Sequence, residues 1–212
     1  MNSPIRSRIE SETLRVIDKY NTENGLSFQI PIPVLEIIES IGFNYDFRMD
    51  GVYKDKDLLG GLHLDSKTIV INEQIAGQDG RMHFTAAHEL GHLILHANEN
   101  KKCKEIDNNP KDDKNIEMEA DLFASFLLMP TSNVKKAFFK VRKSPLKMTD
   151  YRFFGLIKKK RSRKKRAIFI ANKIRKIGGF ENVSKLAFLN RLIGMNLIKG
   201  ISYQSYRNKP KN

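Results

Sequence analysis

The 212-residue chain is 40% hydrophobic with a formal net charge of +14, a composition that supports a buried core and excludes disorder throughout. No apolar run approaches the ~18 residues that cross a bilayer, and the single cysteine, Cys103, has no partner for a disulfide within the sequence. The charge is divided: residues 1–130 hold 14 Lys+Arg and 22 Asp+Glu, a net of −8, whereas residues 131–212 hold 24 and 2, a net of +22. Two regions are therefore expected, 1–130 and 131–212, the second suited to polyanions or acidic partners.

Ser3-Pro4 reads as a helix start, with a loose apolar stripe from Ile5 to Tyr20 and a stop at Asn24-Gly25. The opening has no signal-peptide apolar region, which with the lone cysteine predicts a cytoplasmic protein. Pro31 and Pro33 precede a short helix over Val34–Ser40, with Gly42 at its C-terminal cap. Phe43–Phe47 alternates apolar and polar residues and predicts a strand. Gly60–Leu64, the turn Asp65-Ser66 and Lys67–Asn72 predict a hairpin. If Lys67–Asn72 lay at a sheet edge, it would accept a substrate as an added strand. A helix follows from about Gly80 to His96, capped by Asp79. Then come a polar loop from Ala97 to about Lys114 and a helix from Asn115 to Met129 that Pro130 stops. Thr131–Lys143, Ile168–Ile177 and Val183–Asn196 predict three more helices. Lys158–Arg166 is nearly all basic and reads as a solvated face or loop, or as a phosphate-binding segment.

The Gly80–His96 helix carries His88-Glu89-Leu90-Gly91-His92, an H-E-x-x-H motif in an apolar setting. Residues four apart share a helix face, so His88 and His92 can direct imidazole nitrogens at one metal ion. Glu89 lies one residue further round, within reach of a water on that ion, as a general acid/base. Zn²⁺ is the expected metal, with Mn²⁺ as an alternative.

His96, at i+8, lies ~6 Å further along the axis than His92 and reads as the residue closing the helix C-terminus. No Gly-x-x-His of the metzincin kind follows, so a gluzincin arrangement with a Glu on the next helix fits better. Glu117 and Glu119 are ~200° apart and cannot both face the ion. Glu117 shares its face with Ala120, Asp121, Ala124 and Leu128, a stripe narrow enough for close helix approach. Asp121 can accept a hydrogen bond from the far nitrogen of a ligating His. Glu117 is the expected third ligand, with Glu119 second. His63, His83 and Tyr53 are candidates for steadying an oxyanion, each with a structural role as the plainer reading.

Phe84–His96 followed by Glu117–Pro130, with its Leu-Leu-Met-Pro ending, resembles the ImmA/IrrE family of metallo-endopeptidases. Ile69–Asn72 fits the family's preceding strand. Val183–Ala187 leading to Asn190-Arg191-Leu192 resembles the small helical segment that often follows the peptidase core. The resemblance implies a minimal zincin, a small sheet packed on the active-site helix; with the basic, mainly helical C-terminal region expected from charge and periodicity, the fold class is α+β. It implies His88, His92 and Glu117 as metal ligands and Glu89 as the catalytic residue. It further implies a cytoplasmic endopeptidase that selectively cleaves a helix-turn-helix repressor and so switches on a mobile element or stress regulon.

The basic run Lys158–Arg166 departs from the family pattern, and no helix-turn-helix is evident. Two alternatives follow. One is a non-catalytic DNA- or partner-binding regulator on a zincin scaffold, which an intact Glu89 disfavours. The other is a toxin-like protease of broader specificity. Non-specific DNA contact through the C-terminal region is a further expectation.

Overall fold

The computed structural model describes residues 3–50, 52, 57–96, 110–149, 152–153, 156–157 and 161–203. Cys103, Tyr53 and Lys158 to Lys160 lie outside the described residues, as does most of the expected polar loop. Internal packing divides the chain into two compact units, Met1–Pro130 and Thr131–Asn212. No helix among the described residues is long and apolar enough to cross a membrane.

The first unit is α+β. Its helices are α1 (Ser3–Glu23), α2 (Val34–Ser40), α3 (Asp79–His96) and α4 (Pro110–Leu128), and its strands are β1 (Asn44–Arg48), β2 (Gly60–His63) and β3 (Thr68–Asn72). The sheet order is β1-β3-β2. β1 runs parallel to β3, with Tyr45 opposite Ile69, and β2 runs antiparallel to it, with Gly61 opposite Val70. β3 is therefore central, so Lys67–Asn72 cannot take an added strand; the edges belong to β1 and β2. Burial explains the order. Ile69, Val70 and Ile71 are fully buried in succession, the pattern of a strand covered on both faces and paired on both sides. β1 alternates exposed and half-buried residues, as an edge strand does.

Gly42 ends α2 for a backbone reason. It sits at φ +81°, while its N–H donates to Glu39 O and that of Phe43 to Ile38 O. This is a Schellman ending, which favours a residue without Cβ at that position. α4 begins at Pro110, five residues before the expected Asn115. The Asn-Asn-Pro sequence reads locally as a turn, but proline suits the first turn of a helix. The unit's core joins Ile9 and Ile17 of α1, Ile37 and Ile38 of α2, the β3 triplet, Leu90 of α3, and Phe123 and Phe126 of α4.

The second unit contains α5 (Thr131–Val141), α6 (Arg161–Ile177) and α7 (Lys185–Gly194). Two short ladders accompany them: β4 (Leu146–Lys147) parallel to β7 (Ile198–Lys199), and β5 (Arg152–Phe153) antiparallel to β6 (Leu156–Ile157). None of these two-residue strands was expected, because so short a segment carries no periodicity. α6 begins seven residues before the expected Ile168, so residues 161–166 of the basic run are helical rather than a loop. Arg and Lys are good helix formers. Arg175 closes the α6–α7 connection by donating from Nη1 to the carbonyls of Phe180, Glu181 and Val183, at 2.9, 3.2 and 3.0 Å.

Candidate metal centre

α3 and α4 meet where both backbones are narrow. A Cβ on Gly91 would stand 3.1 Å from Phe123 Cβ and 3.2 Å from Ala120 Cα. Glycine on one helix and alanine on the other thus bring the polar residues flanking this contact into reach of each other. His88 and His92 lie on α3 on either side of Gly91, and Glu117 lies one turn before Ala120 on α4.

These three side chains converge. The Nε2 atoms of His88 and His92 are 3.0 Å apart. Glu117 places Oε2 3.3 Å from His88 Nε2 and Oε1 3.3 Å from His92 Nε2. One ligand atom from each residue lies within 4.8 Å of the others. Two imidazole nitrogens and a carboxylate turned toward one point require positive charge between them, either a proton or a cation. Two neutral nitrogens and one anionic oxygen are a donor set that suits a divalent transition metal.

Asp121, one turn after Glu117, accepts a hydrogen bond from His88 Nδ1–H at 3.0 Å. That bond fixes the ring and leaves Nε2 facing Glu117. Burial pulls the His88 pKa down, but the Asp121 and Glu117 carboxylates outweigh it, and the imidazolium is pushed up to about 10. Hydrogen bonds from His88 and His92 hold Glu117 well below the usual carboxylate range.

Glu89 is buried beside this cluster, with 8% of its surface exposed. Burial raises its pKa, while His88 and His92 draw it back down. Its seat depends on β2: a Cβ on Gly60 would stand 2.5 Å from Thr85 Cγ2 and 2.9 Å from Glu89 Oε1. A strand glycine thus makes room for a buried carboxyl group that is readier than usual to hold a proton.

A family model described as the IrrE N-terminal-like domain, peptidase M78, matches residues 46–153. The chain belongs to this metallopeptidase family. No curated protein matches it. The matched segment contains the His88–His92 motif, Glu117 and Asp121, and the α+β architecture is consistent with a minimal zincin. As an M78 peptidase, the chain is a metal-dependent protease.

Within this peptidase the remaining candidates fall elsewhere. Glu119 points away from the three converging side chains: its Oε2 accepts from Arg8 Nη2 of α1 at 2.9 Å and lies 3.4 Å from His96 Nε2. His96 is buried at the end of α3, its ring 5.6 Å from that of His92. His83 Nδ1 bonds the carbonyl of Asp79 at 2.8 Å, within its own helix. Strand alternation puts His63 on the opposite face of β2 from Gly60. Sequence reasoning missed Gly60, Gly91 and Arg8. Gly91 had a legible cue, a glycine on the apolar face of a helix between two histidines. Arg8 had none, since its partner is 111 residues away.

Proposed function

We propose that the chain is a zinc-dependent endopeptidase of the cytoplasm that selectively cleaves a helix-turn-helix repressor and thereby relieves repression of a mobile element or stress regulon. The observation that carries the catalytic part is the meeting of His88, His92 and Glu117 beside a buried Glu89. Those three residues would hold the ion, and Asp121 would orient His88. When bound, Zn²⁺ supplies Lewis-acid chemistry that acidifies water and polarises a carbonyl.

Glu89 does the proton work. Its carboxylate takes a proton from the attacking water as the oxygen adds to the scissile carbonyl carbon. It returns that proton to the amide nitrogen as the C–N bond breaks, releasing a carboxylate and an amine. The raised pKa strengthens Glu89 as the base that takes this proton and lets the carboxyl group hold it until the amine leaves. β2 is the sheet edge whose Gly60 lies against Glu89, and an extended peptide added there would present its backbone beside that carboxylate. A structural metal site would need no buried base, and structural zinc ordinarily has four protein ligands.

The test compares new protein N-termini in cells producing the wild type and Glu89→Gln. The expected result is a new terminus inside a helix-turn-helix repressor that Glu89→Gln abolishes, with a rate loss of about 10²- to 10⁴-fold and metal still bound. Glu89-dependent termini scattered over many proteins would replace the repressor reading with broad proteolysis. None at all would overturn the peptidase assignment to this substrate class.

A further inference from the structure

The second unit holds 24 cations and two carboxylates, Asp150 and Glu181, so it cannot neutralise itself by internal ion pairing. Its cations divide by geometry. Several arginines serve the fold: Arg191 is buried and donates to Thr131 Oγ1 at 2.7 Å, Arg175 binds three carbonyls, and Arg163 donates to Gly200 O at 3.3 Å. The lysines of α6 do the reverse. Ala167, Ala171 and Ile174 form its fully buried face, while Lys165, Phe169, Lys173 and Lys176 are exposed. These four lie at i, i+4, i+8 and i+11, a single stripe opposite the core. Phe169 is 71% exposed, a large apolar ring left in water between cations.

We propose that this stripe of α6 docks in the major groove of duplex DNA, the lysines on phosphates and Phe169 toward the base edges. The dimensions agree. Lys165 and Lys176 are separated by about 16 Å along the helix axis, enough to straddle a groove about 12 Å wide. Phe169 falls between them, where an aromatic ring can meet a thymine methyl group. An anionic membrane is the poorer occupant, because an interfacial helix inserts a continuous apolar face, and that of α6 is spent in the core. The inference does not depend on proteolysis. On the repressor reading above, it would bring the peptidase to the DNA where its substrate sits.

The experiment measures binding of the full chain to a labelled mixed-sequence duplex by fluorescence anisotropy across a salt series. Two triple variants of equal net charge are compared, Lys165→Gln/Lys173→Gln/Lys176→Gln on α6 and Lys135→Gln/Lys136→Gln/Lys140→Gln on α5. The α6 variant should flatten the slope of log K against log salt by about 2.7, or 0.9 for each phosphate contact, and the α5 variant should change it less. Phe169→Ala should weaken binding with the slope unchanged. Circular dichroism confirms that each variant is folded. Failure of the wild type to bind duplex, equal losses in the two triple variants, or binding to phosphatidylserine vesicles in place of DNA would each overturn the proposal.

Discussion

Residues 1–130 carry 36 charged side chains of both signs, 14 cations and 22 anions, and residues 131–212 carry 26, of which 24 are cations. The first unit gathers a few of its titratable groups within about one hydrogen bond of each other, as at His88, His92, Glu117 and Asp121. The second spreads its lysines over an exposed helix face. Charges held this close, with the imidazoles and Glu89 shielded from water, act on one another strongly and select a single small cation. Charges that are dispersed and solvated are screened within about 8 Å at physiological salt, so they act as a field on a long polyanion. On the two proposals above, the same side-chain types would give stoichiometric recognition in one unit and salt-dependent attraction in the other, with burial deciding which.

The largest expected effect that tests this contrast lies at Asp121. Because His88 is held protonated up to about pH 10, metal binding must displace its proton. Apparent metal affinity should therefore climb about tenfold per pH unit through neutrality for that one proton. In the metal-free protein the sign is opposite. The raised His88 contributes stability that is complete below about pH 6.5 and lost as pH rises through about 10. The depressed Glu117 contributes stability present above about pH 4.5 and lost as pH falls below it. Asp121→Ala should lower metal affinity about 10- to 100-fold and flatten the pH slope near neutrality. Isothermal titration in buffers of different ionisation heat reads both effects. A change too small to resolve, in a side chain that bonds His88 directly, would erase the distinction between the two units.

Legibility in the sequence followed the range of the interactions. Helical spacing alone brings His88 to His92, and the same geometry aligns Glu117 with Asp121 and the Ala120–Ala124 stripe. The end of α2 was legible because Gly42 answers a local backbone demand. What stayed hidden depends on distant chain. β3 is central because β1 and β2 flank it, and no feature of Thr68–Asn72 says so beyond its unbroken apolar run. The Gly60–Glu89 contact joins a strand to a helix 29 residues on. Glu119 was nearly as good a candidate as Glu117 until Arg8 of α1 claimed it. The basic segment of α6 looked like a loop because its apolar periodicity starts only at Ala167; helix propensity carries it back to Arg161.

Gly91 gives a middle-sized effect that ties packing to the site. Gly91→Val would drive methyl groups into Phe123 and Ala120, where even a Cβ is crowded. Overpacking of this kind costs about 1–3 kcal/mol. Since the same contact sets the distance from Glu117 to the histidines, metal affinity should fall together with thermal stability. Lost stability with unchanged affinity would mean that the α3–α4 spacing does not govern the site.

The smallest effect belongs to the second unit. Ser184 caps α7, its Oγ accepting from Ala187 N at 3.1 Å, and α7 ends in a left-handed Asn196 whose neighbouring amides close a Schellman motif. Ser184→Ala removes the partner of one N-terminal amide and should cost about 1 kcal/mol, read as a lower midpoint for unfolding of residues 131–212. Every side chain of the metal cluster belongs to residues 1–130, so metal affinity should stay at the wild-type value. DNA affinity should stay there too at temperatures below the new midpoint, because the substitution lies outside α6 and leaves its buried face of Ala167, Ala171 and Ile174 unchanged. A drop in metal affinity on losing this cap would show that folding of the basic unit sets the geometry of the metal cluster. The contrast between a local and a diffuse use of charge would then describe one cooperative structure rather than two.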